Sequence, residues 1–183
     1  MRISFLVLVL TTLLAGGCST PKLVVLNDPL DSRQHNDLGV SYEKRGDYDL
    51  AEREYKRAAE LDEDWAKPLV NLGNVYTAQK EWKRALKAYR TALDRQPENS
   101  LAMNNLAWAL VQSGNAAEAV TWGEKAVEAE PENPYYWDTL AEAYASSNRL
   151  DKAGEAAKKG LALDPPHTLR KNLKSKLELS EEE

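Results

Sequence analysis

From residue 32 onward, small and large apolar residues return every 34 positions. Leu38-Gly39-Val40-Ser41-Tyr42 is followed by Leu72-Gly73-Asn74-Val75-Tyr76, then Leu106-Ala107-Trp108-Ala109-Leu110, then Leu140-Ala141-Glu142-Ala143-Tyr144. Twelve residues after each Gly or Ala stands another Ala: Ala51, Ala85, Ala119 and Ala153. Four further on come Tyr55, Tyr89, Gly123 and Ala157, and three beyond those Ala58, Ala92, Ala126 and Gly160. These intervals of three and four put apolar side chains on one face of a helix. Turn signals interrupt each block at Gly46-Asp47, Gln79-Lys80, Gly114-Asn115 and Ser147-Asn148. The pattern predicts eight helices, at about 32–45, 48–62, 66–79, 82–95, 100–113, 116–129, 134–147 and 150–163. Pro97, Pro131 and Pro165 close three of the blocks, and Glu63 holds that place in the first. A ninth helix is expected at about 167–178, with Leu169, Leu173 and Leu177 on one side and Arg170, Lys171, Lys174 and Lys176 on the other. Leu179-Ser180-Glu181-Glu182-Glu183 reads as a frayed acidic end.

A period of 34 held four times resembles the tetratricopeptide repeat, a pair of antiparallel helices. The resemblance implies an all-α, right-handed α-solenoid of four helix pairs with a C-terminal capping helix. Its units are 32–65, 66–99, 100–133 and 134–167, and 168–183 forms the cap and tail. The small residues let helices approach closely, and the polar outer side of the ninth helix suits the end of a stack.

Upstream of the repeats the pattern changes. Met1-Arg2 is positive, Ile3 to Leu14 is almost continuously apolar, and Ala15-Gly16-Gly17 is small. This is the order of a secretory signal over 1–17, and the apolar run is shorter than the roughly 20 residues of a membrane span. The sole Cys follows at Cys18. The boundary resembles a bacterial lipobox, with Ala15 where that motif favours Leu and Leu14 one residue earlier. The resemblance implies a lipid on Cys18. In lipoproteins of that kind, Ser19 in place of Asp behind the Cys implies the periplasmic face of the outer membrane. Residues 18–31, with Pro21 and Pro29, form a tether. Within it, Leu23-Val24-Val25-Leu26 either packs as a loop on the first helix or lies in a groove and occludes it.

Charge and composition narrow the function. With 24 Lys plus Arg against 29 Asp plus Glu, the formal charge is −5, and no basic surface for nucleic acid is expected. At 43% hydrophobic and 29% charged residues, the chain has the makeup of a folded protein. One Cys and two His cannot build an intrachain disulfide or a Cys/His zinc site. No Gly-rich phosphate loop and no nucleophile–base constellation occurs, so no enzyme activity, metal, cofactor or small-molecule substrate is expected. His35 takes a slot where the repeat often has Trp, and is read as a packing residue.

In the resembling family the first helix of each pair lines a concave groove. By analogy, the groove candidates here are Asn36, Lys67, Asn71, Asn74, Asn104, Asn105, Trp108 and Tyr135. The Asn amides both donate and accept, which suits an extended peptide backbone. Trp108 is the anticipated energetic anchor. Trp65, Trp82, Trp122 and Trp137 are assigned to packing. Slots that grip a terminal dicarboxylate with Lys and Arg in some family members hold mostly Asn, Val and Leu.

The expected partner is another protein, and the expected role a lipid-anchored scaffold of the bacterial envelope. A structural homo-oligomer is the alternative. Lipoproteins of this kind include pilotins of type IV pilus assembly. Asn27-Asp28-Pro29-Leu30, His35 to Glu43, and Asn133 to Leu140 also resemble lipoproteins associated with C39, papain-like cysteine peptidases. An accessory role to a separate peptidase is therefore a further reading.

Overall fold

The computed structural model describes residues 28–181. The expected signal segment, Cys18 and the Leu23–Leu26 run lie outside them. Residues 31–181 form nine helices, and no strand occurs among the described residues. They are α1 (Ser32–Arg45), α2 (Tyr48–Leu61), α3 (Lys67–Ala78), α4 (Trp82–Arg95), α5 (Ser100–Gln112), α6 (Ala116–Ala129), α7 (Pro134–Ser146), α8 (Leu150–Ala162) and α9 (His167–Glu181). The 34-residue pattern anticipates the ends of the first eight to within a residue.

Local chemistry sets those ends. Asp31 caps α1, accepting from the Gln34 backbone N–H while the Gln34 side chain accepts from the Asp31 N–H. Asn99 and Asn133 cap α5 and α7 through their side-chain oxygens, and Pro134 starts α7 where a missing N–H costs nothing. Each pair turns through one left-handed residue, and these stand 34 apart: Gly46 (φ 79°), Lys80 (φ 59°), Gly114 (φ 82°) and Asn148 (φ 57°). The next N–H then reaches back to close the first helix: Asp47 to the Tyr42 carbonyl, Glu81 to Tyr76, Asn115 to Leu110 and Arg149 to Tyr144, at 2.8–3.0 Å.

Packing follows from the small positions. Ala51, Ala85, Ala119 and Ala153 are all buried, as are Ala58, Ala92, Ala126 and Gly160. Leu72, Leu106 and Leu140 are buried, whereas Leu38 in the first unit is only half-buried, with no described helix ahead of it. First helices touch their counterparts in the next unit, α1 to α3, α3 to α5, α5 to α7 and α7 to α9. Second helices come no closer to each other than long side chains can span: Arg84 of α4 reaches Glu52 of α2, and Arg90 reaches Glu118 of α6 at 2.8 Å. A stack with its first helices close and its second helices spread curves with the first helices inside, as an α-solenoid.

The C-terminus departs from expectation. In place of a frayed end after Glu178, α9 continues through Glu181. Gly154 of α8 explains the extension, since a methyl there would lie 2.7 Å from the Ser180 Cβ. The missing side chain lets the last turn of α9 dock. Leu169 and Leu173 are buried beneath it, with Leu173 against Gly160.

Candidate protein-binding face

The inner face is built from α1, α3, α5 and α7, closed at one end by α9. On α5, Leu101, Asn104, Asn105 and Trp108 share one side by helical spacing. On α3 the corresponding residues are Lys67, Asn71 and Asn74, and on α7 they are Tyr135, Asp138 and Glu142. Lys67, Leu101, Trp108 and Tyr135 are exposed, the last three at 49%, 38% and 54%.

The Asn residues occupy this face differently from the expectation. Asn36 is not an exposed groove residue; it is 1% exposed, and its side-chain oxygen accepts from Asn71 Nδ2 at 2.9 Å. Asn74 Oδ1 accepts twice, from Asn105 Nδ2 at 2.9 Å and from the Tyr89 hydroxyl at 2.8 Å. Asn104 donates to Asn105 Oδ1 at 3.3 Å, and its own Oδ1 is buried without a hydrogen-bond partner among the described residues. The first helices are thus stitched together, α1 to α3 and α3 to α5, by amide pairs. Two first helices side by side leave polar positions facing one another, and an amide satisfies its neighbour's amide there. Asn71, Asn74, Asn104 and Asn105 remain half-buried at the surface of this seam.

Trp108 is supported from the preceding unit. Its ring meets Trp82 edge-on, with centroids 6.0 Å apart and planes at 67°. Trp82 thus does more than pack within its own unit: it backs the exposed indole. Trp137 and Trp122 have the structural roles expected of them. The Trp137 N–H donates to the Pro131 carbonyl at 2.7 Å, and Trp122 lies under Lys125 on the second-helix layer.

Lys176 is the residue that sequence reasoning misplaced. Expected on the polar outer side of α9, it turns inward. Its Nζ contacts Asp138 Oδ1 at 2.6 Å and Glu142 Oε2 at 3.2 Å, with its side chain 11% exposed. The signal was in the register: Val40, Asn74, Trp108, Glu142 and Lys176 follow one another at 34-residue intervals. The last helix is a fifth first-helix, and its lysine bridges the two acids at that end of the face.

Behind the face, tyrosines of the second helices hold the pairs together. Tyr55 is fully buried and donates to Glu43 Oε2; burial first, then the Glu43 carboxylate, lift its phenol far above the ordinary tyrosine range. Burial pushes Tyr89 up to about 12, with the hydrogen bond to Thr77 opposing. His35 is buried, with Nδ1 2.7 Å from Glu54 Oε2, as a residue packed between α1 and α2.

A curved stack of repeated helix pairs, each contacting its neighbours, defines the class of α-solenoid repeat proteins. The chain belongs to the tetratricopeptide-repeat family: models described as tetratricopeptide repeat match residues 31–98, 70–134 and 134–167. Among curated relatives, photosystem I assembly protein Ycf3 of Synechococcus sp. (strain CC9311) is 31% identical over 83 residues, 44% of this chain and 48% of that protein. The Ycf3 of Prochlorococcus marinus is 28% identical over 98 residues, 48% of this chain and 57% of that one. The chain therefore spans about half the length of the curated relatives it matches. Of solved structures, MamA aligns with a TM-score of 0.68 at 23% identity, covering 75% of this chain and 80% of that one. A MamA chain from Desulfovibrio magneticus RS-1 gives 0.70 at 22%, covering 82% and 89%. At such identity the likeness concerns the fold.

Proposed function

We propose that this protein is a non-catalytic docking protein that holds a partner protein on the inner face of its solenoid. The observation that carries the reading is Trp108. A large aromatic side chain, exposed and braced by Trp82, stands two turns along α5 from Leu101, whose counterpart on α7 is Tyr135. Exposed apolar residues gathered on one surface mark interaction sites, and Trp is the residue type most often energetic there. Repeat solenoids use such inner faces for binding. The curated relatives are named as assembly proteins, which agrees with a helper that positions another protein.

The same proposal includes the sequence ahead of the repeats. Residues 1–17 act as an export signal, and Cys18 carries the lipid. Residues 18–31 tether the units 32–65, 66–99, 100–133 and 134–167 at the periplasmic face of the outer membrane. The order of positive, apolar and small residues before a sole Cys supports this part.

A photoreactive phenylalanine analogue at Tyr135, compared with one at Lys158 on the second-helix layer, tests the docking reading in the cells that make the protein. Adducts to one other protein from position 135 alone support it; adducts from 158 alone refute it. For the anchor, incorporation of a palmitate analogue should vanish in Cys18→Ala, and undiminished labelling would remove it.

A further inference from the structure

The amides and charges of the inner face define what can sit on it. Asn36, Asn71, Asn74 and Asn105 commit pairing groups to one another and to Tyr89, so part of the amide capacity of the seam is already used. Formal charge is balanced as well. Arg33, Lys67 and Lys176 offset Asp37, Asp138 and Glu142, Lys176 contacts both Asp138 and Glu142, and α5 carries no charged residue. What remains is apolar. Of the five large hydrophobic side chains left exposed among the described residues, Leu101, Trp108 and Tyr135 lie on this face.

Resting on the docking function above, we propose that the occupant is a segment of another protein bearing uncharged aliphatic or aromatic side chains, seated across Leu101, Trp108 and Tyr135. A carboxylate-rich tail would meet Lys67 and an Arg33 already offset by Asp37. A lysine-rich segment would have to displace Lys176 from two carboxylates, while giving up the hydration of its own ammonium groups. An uncharged apolar segment loses nothing of that kind and gains by removing Trp108 and Leu101 from water.

Random twelve-residue peptides displayed on phage, selected against the immobilised full chain, provide the test. The enriched sequences should be uncharged and rich in Leu, Phe, Tyr or Trp. A synthetic copy of the most enriched one should bind Trp108→Ala at least tenfold more weakly, and Trp122→Ala about as well as wild type. Enriched peptides dominated by Asp and Glu, or by Lys and Arg, that still require Trp108 would overturn the partner chemistry and leave the inner face as the docking site. Peptides indifferent to both Trp108→Ala and Leu101→Ser, or no enrichment, would overturn both. Sedimentation of the wild type as a dimer that Trp108→Ala dissolves would assign the face to a second copy and refute the proposal.

Discussion

The Tyr89 ring fills the space a side chain at Gly73 would need: a methyl there would lie 2.3 Å from Tyr89 Cε1. Gly39 and Tyr55 repeat the relationship one unit earlier, at 2.6 Å. In the third and fourth units the same two slots hold Ala107 with Gly123 and Ala141 with Ala157. The pair therefore trades size, glycine with tyrosine in two units and small with small in the others. At Gly123 the vacated room goes to Leu140 of the next unit.

Gly73→Ala should therefore destabilise the protein even though Ala is the better helix former. Overpacking costs about 1–3 kcal/mol, and the gain in helix propensity is about 1 kcal/mol. Urea unfolding should place its midpoint below wild type, and a midpoint at or above wild type would mean that the Tyr89 ring moves aside freely.

The four left-handed turn residues are chemically unequal. Gly46 and Gly114 adopt that conformation at no steric cost, and Asn148 tolerates it, but Lys80 at φ 59° has no such licence. Lys80→Gly should raise stability by roughly 0.5–1 kcal/mol, the strain removed less the added freedom of the unfolded chain. Thermal melting measures it, and Gly46→Lys should move in the opposite direction.

Asn74→Ala should lower stability before it affects binding. Its side-chain oxygen accepts from both Tyr89 and Asn105, and losing it strands the half-buried Asn105 amide and leaves the buried Tyr89 hydroxyl with Thr77 alone. The expected loss is about 1–3 kcal/mol. A double-mutant cycle with Asn105→Ala should show coupling, and strict additivity would show that the amide pair contributes nothing.

Why the fold was legible and this pairing was not follows from the same residues. The 34-residue spacing of Gly39, Gly73, Ala107 and Ala141 records contacts that recur in every unit, so periodicity alone reveals them. Asn36–Asn71 and Asn74–Asn105 are contacts between units at different slots, 35 and 31 residues apart. A fixed period does not announce them, and five amides on one face read as open binding groups. Lys176 was hidden differently, because α9 holds Lys174 in the slot of Leu38, Leu72, Leu106 and Leu140 and looks like a plain amphipathic cap. The Trp82 ring meets Trp108 only across a unit boundary, and nothing in its own block foretells that.

Alkaline titration probes the buried phenols. Burial pushes Tyr89 up to about 12, and burial with the Glu124 hydrogen bond does the same for Tyr144. A phenol with a raised folded value keeps its proton better in the folded state. Its stabilising contribution is whole below the ordinary value of 10.0 and fades as pH rises toward about 12. Phenolate absorbance should rise in stages, with Tyr89 and Tyr144 late and Tyr55 last. All eight tyrosines ionising together near pH 10 in the folded protein would contradict the packing described.

The most direct measurement compares full-length wild type and Trp108→Ala for capture of the protein that crosslinks at position 135, alongside their melting temperatures. Trp108 is 38% exposed and braced by Trp82, so its removal should shift melting by no more than about 4 °C. Loss of capture with that small shift is the predicted result. Undiminished capture by Trp108→Ala would contradict a docking function for the inner face.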